Sequence, residues 1–172
     1  MVVRHLVITY APIGEAATAA VAIRTPEDAA ALLRERLADE PVEVFGVLCL
    51  TTRSDLIAYH EVSRGSLNAS IVHPREVFKP AVLSNAAAVI ISHNHPSGDP
   101  TPSPEDLVIT RRLREAGHLL GIEVVDHIVI GQEGRFYSYR QSGGLPGSES
   151  KGGFCDSQDH FERKGYPAGQ TR

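Results

Sequence analysis

Tryptophan is absent from this chain and aromatic residues make up only 6% of it, so aliphatic side chains must supply most of any core it buries. Cysteine is scarce as well: Cys49 lies in an apolar run and Cys155 in a polar one. Two thiols so placed offer neither a disulfide framework nor metal-ligand spacing, and Cys49 reads as a small buried hydrophobe. No apolar run approaches the ~20 residues that cross a bilayer, and the start, Met1-Val-Val-Arg4, lacks the pattern of a signal peptide. A soluble, cytoplasmic protein without a membrane partner is expected. Positive charge is also short. The net charge of −4 argues against nonspecific binding to nucleic acid, which needs a cationic face to release counterions, although it does not exclude a local basic patch. There is no internal repeat, and nothing in the chain sets an oligomeric state.

What is present suits one domain. At 172 residues and 42% hydrophobic content the chain can bury a single core. Thr25-Pro-Glu-Asp28 combines an N-cap, a first-position proline and an early acidic residue, and predicts a helix through Ala38, stopped near Asp39-Glu-Pro41. Its Arg34 and Arg36 are expected on a solvated face. Val42–Leu50 and Leu56–Val62 read as strands of a hairpin around a turn at Thr51–Asp55. Asn68–Val72 suggests a short strand. A helix from Pro74, bent at Pro80, should end by Asn85, with His73 and Arg75 expected at the surface rather than lining the cleft. A longer helix spans Pro104–Leu120 and closes at Gly121, and the arginines Arg111, Arg112 and Arg114 fall on several of its faces rather than in a phosphate-binding stripe. Strands follow at Ile122–Ile130 and Gly134–Arg140.

This mingling of strands and helices predicts a single α/β domain, a mixed central sheet with helices on both sides, over residues 25–141. Residues 1–24 form an N-terminal extension in which Met1–Tyr10 reads as an edge strand. Residues 142–172, rich in Gly, Ser and charge, read as a flexible tail whose Phe154, Phe161 and Tyr166 are candidates to dock on a partner.

The chemistry concentrates in Val89–Asp106, VIISHNHPSGDPTPSPED. His93 and His95 follow a buried apolar run, and in an extended chain residues two apart share a face, so both imidazoles can converge on one ion. Pro96, Gly98, Pro100 and Pro102 then impose a stiff, shaped loop. Ser103-Pro-Glu-Asp106 is a standard helix start, and an aspartate in that first turn can face a metal while the serine still caps. Two nitrogens and one carboxylate leave the fourth position of a tetrahedral ion for water, the mark of a catalytic zinc site. Asp126-His127, inside a predicted strand, is expected as a hydrogen-bonded pair in the core or behind the ligands. His5, His60, His118 and His160 suggest no site.

H-x-H, seven residues, then S-x-x-D is the zinc signature of the JAB/MPN (JAMM) metalloproteases, and HNHPSGDPTPSPED, with PREVF upstream and DHIVIG downstream, resembles their RadC branch. The resemblance covers about Thr25 to Arg140. It implies a cytidine-deaminase-like architecture, Zn2+ on His93, His95 and Asp106, a general base at Glu43, which like the family's glutamate is followed closely by a glycine, Gly46, and Ser103 helping to hold the oxyanion. Glu61 is the rival base. The implied activity is a peptidase or isopeptidase acting on an unknown protein or peptide substrate. The competing expectation is a non-catalytic accessory protein of DNA repair or recombination. RadC-like proteins usually carry a helix-hairpin-helix module ahead of this domain, for which the roughly 24 residues before the first helix are too few.

Overall fold

The computed structural model describes residues 21–65 and 72–145. The expected strands at Met1–Tyr10 and from Asn68, together with Cys155, Phe154, Phe161 and Tyr166, lie outside the described residues.

An X-Pro step starts each described helix, because proline's fixed φ suits the first helical position and its missing N–H would be unpaired there anyway. Helix α1 is Pro26–Leu37, α2 is Pro74–Leu83 and α3 is Pro104–Leu120. Thr25 and Ser103 cap α1 and α3 in reciprocal boxes with Asp28 and Asp106, as their sequences predict. The side chain of His73 caps α2 by accepting the N–H of Arg75, a role the sequence did not suggest. Helix α3 ends where Gly121 turns left-handed at φ 68° and the N–H of Ile122 donates to the Gly117 carbonyl.

The strands are β1, Val44–Leu50; β2, Leu56–Arg64; β3, Ala88–Asn94; β4, Glu123–Ile130; and β5, Phe136–Ser138. They form one five-stranded mixed sheet in the order β2-β1-β3-β4-β5. Only β3 and β4 run parallel, with α3 as the crossover between them; the remaining neighbours are antiparallel. Helices cover both faces. Phe45, Val47 and Cys49 of β1 pack with Val77 and Phe78 of α2 and Ile109 and Leu113 of α3, while Val44, Leu48 and Leu50 pack with Ala29, Leu33 and Leu37 of α1. With both faces covered, every residue of β1 is buried. A Cβ on Gly46 would lie 2.5 Å from the Tyr59 ring crossing over it, so a larger residue there would push that ring aside. Among the described residues no helix is long and apolar enough to cross a membrane.

Several boundaries and roles differ from expectation. The last strand is shorter than Gly134–Arg140 because its ends are taken by other partners. Glu133 and Gly134 turn at positive φ, and the N–H of Arg140 donates to Asp126. Arg34 and Arg36 are half-buried rather than solvated. Arg34 lies over Phe136 and donates to the Gly134 carbonyl, and Arg36 lies over Tyr59, so the two tie α1 to both edges of the sheet. Of residues 142–145, where the tail is expected to begin, Ser142 and Gly143 are exposed, while Gly144 donates to the Tyr139 carbonyl and Leu145 is buried with Val129 and Tyr139.

Asp126 and His127 are buried and hydrogen-bonded as expected, but through the backbone N–H of His127, since strand alternation sends their side chains to opposite faces of β4. The Asp126 carboxylate accepts from the backbone N–H of His127 and Arg140 and from the Ser138 hydroxyl, at 2.7, 3.0 and 2.6 Å. Burial pushes this carboxyl above its usual range, against those hydrogen bonds. Asp126→Ala would orphan these donors in a buried setting, and we expect a loss of about 1–3 kcal/mol, seen as a lower urea midpoint at unchanged m-value. An unchanged midpoint would show that water replaces the carboxylate at no cost.

Candidate metal centre

Side chains along β3 alternate, so Val89, Ile91 and His93 face α3 while Ile90, Ser92 and Asn94 face the other way. His95 lies just beyond the strand and returns to the His93 face. Its backbone N–H donates to the Ile130 carbonyl at 2.9 Å, which extends the β3–β4 pairing to this candidate ligand. The proline-rich loop then docks on the β4–β5 turn through the bond from the Gln132 N–H to the Gly98 carbonyl, 3.0 Å. Glycine is required on both sides of it: a Cβ on Gly131 would meet the Gly98 carbonyl at 2.6 Å, and Gly98 itself turns at φ 83°. That docking brings the Asp99 carbonyl to 2.7 Å from His95 Nδ1.

At the first turn of α3 the Asp106 carboxylate accepts from the backbone N–H of Ser103 at 2.8 Å and from its hydroxyl at 2.7 Å. It therefore caps and still faces the histidines. His93 Nε2 and His95 Nε2 lie 3.0 Å apart, and Asp106 oxygens lie 3.2 and 3.5 Å from them. An ion bonded at about 2.0–2.1 Å requires its ligand atoms roughly 3 to 3.5 Å apart, and these atoms fit. Among the described residues His93, His95 and Asp106 form a group that could hold a metal ion. His93 and Asp106 are buried and His95 is partly exposed, so solvent reaches the cluster on the His95 side.

The electrostatics fit a cation. Burial opposes a charge on Asp106, yet the imidazoles of His93 and His95 and the Ser103 hydroxyl outweigh it and hold the carboxyl well below the usual carboxylate range. Contact with Asp106 raises the His95 pKa, burial partly opposes this, and the charge of Glu43 adds to the rise.

Glu43 immediately precedes β1 rather than lying within it. The β1–β3 register pairs Phe45 with His93, and continuing it by two residues sets Glu43 opposite His95, on the ligand face. Asn94 secures this segment from behind. Its side-chain carbonyl accepts from the Val44 N–H at 2.8 Å and its amide donates to the carbonyls of Val42 and Glu40 at 3.0 and 3.3 Å. The residue between the two histidines therefore clamps the chain on either side of Glu43. Sequence reading missed it, although a buried polar residue beside an apolar strand was a usable signal. The rival Glu61 is exposed and engaged with Arg64, which also pairs with Glu40.

The RadC-like JAB domain family model matches residues 23–145. This chain belongs to that family. Similar proteins include a UPF0758 protein of Moorella thermoacetica, 53% identical over 119 residues, 69% of this chain and 52% of that one. Another UPF0758 protein, from Shouchella clausii, is 54% identical over 121 residues, covering 70% of this chain and 52% of its own. An archaeal relative, from Methanosarcina barkeri, is 50% identical over 119 residues, again 69% and 52% of the two chains. The RadC-like chain thus spans about half the length of the curated relatives it matches.

A proton on His95 Nε2 occupies the lone pair that a metal needs. Because that pKa is raised, metal affinity should climb as pH rises through the raised value and level off above it. For the metal-free protein the sign reverses: the His95 contribution to stability is fully present below about pH 6.5 and is lost as pH rises through the folded value. Chelator competition across pH tests the first statement, and an affinity that does not change between about pH 6 and 8 would remove His95 from the ligand set.

Proposed function

We propose that the chain is a zinc-dependent hydrolase of amide bonds, a peptidase or isopeptidase acting on a protein or peptide substrate. The observation that carries this reading is the convergence of His93 Nε2, His95 Nε2 and Asp106 at ligand spacing, with Glu43 brought opposite His95 by the sheet register. Zinc bound by these three ligands would lower the pKa of a water in the remaining position and polarise a substrate carbonyl. Glu43 would take the proton from the attacking water and deliver it to the leaving amine. The Glu61 carboxylate is already held by Arg64, which supports Glu43 over it.

Ser103 has two tasks within reach. Its hydroxyl donates to Asp106 and so orients the carboxylate. Turning that hydroxyl about one torsion would free it to donate to the oxyanion that develops on the substrate. A DNA-associated accessory role draws no comparable support from the site, and the net charge of −4 opposes it.

His93→Ala and His95→Ala each remove one of three ligands and should abolish zinc retention. Asp106→Ala should do the same, and should also loosen the first turn of α3 by removing the reciprocal half of its capping box. Glu43→Gln keeps shape but not basicity, so zinc should remain near one equivalent while hydrolysis falls on the order of 100-fold or more. Metal analysis of the purified variants, followed by peptide-library cleavage with the zinc-loaded protein, tests these statements. Full zinc retention in both histidine variants would exclude the loop as the site, and an active Glu43→Gln beside an inactive Glu61→Gln would move the base. Iron in place of zinc would overturn the metal assignment. Salt-sensitive retention on DNA without peptide cleavage would favour the accessory role.

A further inference from the structure

His127 is fully buried behind His93, on the far side from the metal cluster. His93 Nδ1 lies 2.9 Å from His127 Nε2, and His127 Nδ1 lies 2.6 Å from the Thr110 hydroxyl. That hydroxyl is also 2.6 Å from the Asp106 carbonyl, one helical turn back. A carbonyl cannot donate, so the Thr110 proton must point at it; otherwise two oxygens would meet lone pair to lone pair. The rest of the chain follows from this one choice. Thr110 Oγ is left as an acceptor and takes the proton of His127 Nδ1. His127 Nε2 is then bare and accepts from His93 Nδ1–H. His93 Nε2 is left with its lone pair directed at Asp106 and His95.

From this geometry we propose that the relay Thr110–His127–His93 is a positioning device, which fixes His93 in the tautomer that can bind metal and is set by the backbone carbonyl of Asp106. His95 is set in the same sense, independently, by the Asp99 carbonyl. Packing holds the relay in place. The His127 ring stacks on Tyr139 at 4.9 Å and meets Phe45 edge-on, while Phe45 stacks on His93. Helix α3 thereby serves the centre twice, through the Asp106 carboxylate in front and through the Asp106 carbonyl, by way of Thr110, behind. Thr110 and His127 touch neither ion nor substrate. They act by denying His93 a proton on Nε2.

The inference rests on the metal-binding reading of the triad, and the experiment separates the two. Thr110→Val keeps the shape of the side chain and removes the acceptor of His127 Nδ1–H, so the reversed tautomer, with the proton on His93 Nε2, becomes populated. Thr110→Ser restores the hydroxyl. Zinc affinity by chelator competition should fall about 10- to 100-fold in Thr110→Val and recover in Thr110→Ser. In the metal-free, 15N-labelled protein at mildly alkaline pH, where donation from His93 Nε2–H to Asp106 competes with the relay, the ring-nitrogen shifts of His93 should report a larger share of the bare-Nε2 tautomer in the wild type and in Thr110→Ser than in Thr110→Val. Unchanged shifts or unchanged affinity in Thr110→Val would overturn the relay, as would a loss of affinity that serine does not rescue. If the wild type itself holds no zinc, the metal reading fails, and the nitrogen shifts alone still decide whether the relay sets the tautomer.

Discussion

Two imidazole nitrogens and a carboxylate face one another within 3.0–3.5 Å at the end of β3, and bringing such groups together away from water costs free energy that their surroundings must offset. The surroundings do so by hydrogen bonding nearly every other polar atom of the three residues. His93 leans on His127, His95 on the Asp99 carbonyl, and Asp106 on the N–H and hydroxyl of Ser103. The atoms left facing one another are those whose spacing suits a cation. In that sense the cap of α3, the loop and the buried histidine of β4 share one task.

The sheet topology makes this affordable in geometric terms. Strand β3 is central, flanked by β1 and β4, so its C-terminal end receives residues from both sides: the segment before β1 with Glu43, and His127 from β4. The parallel β3–α3–β4 crossover returns the chain so that the N-terminus of α3 sits at that same end. Antiparallel pairing of β1 with β3 sets the start of one strand against the finish of the other. Asn94 then converts this pairing into a clamp, because strand alternation turns it away from the ligands and towards the backbone of residues 40–44.

Local chemistry was legible in the chain wherever it depends on neighbours in sequence. Thr25 and Ser103 announce helices through their own side chains, Gly121 supplies the left-handed cap, and the two-residue spacing of His93 and His95 places them on one face of an extended chain. Alternating order of elements, with apolar runs too short for helices, was enough for a mixed sheet covered on both sides. The roles that escaped are those defined by a distant partner. Arg34 and Arg36 look like surface charges until the β4–β5 turn and Tyr59 arrive beneath them, and Asp126 looks like a partner of His127 alone until Ser138 and Arg140 arrive beside it.

By itself, then, the sequence determined the class of fold, the three candidate ligands and the helix start that carries one of them, because each follows from periodicity or from hydrogen bonds within a few residues. Only the tertiary structure decided that Glu43 faces His95 while Glu61 pairs with Arg64. It alone set Asn94 against residues 40–44 and lined up Thr110, His127 and His93 at hydrogen-bonding distance. Those contacts join residues 17 to 54 positions apart. A pattern of spacing cannot encode them, since they arise from strand register and from the crossover that carries α3 back over the sheet.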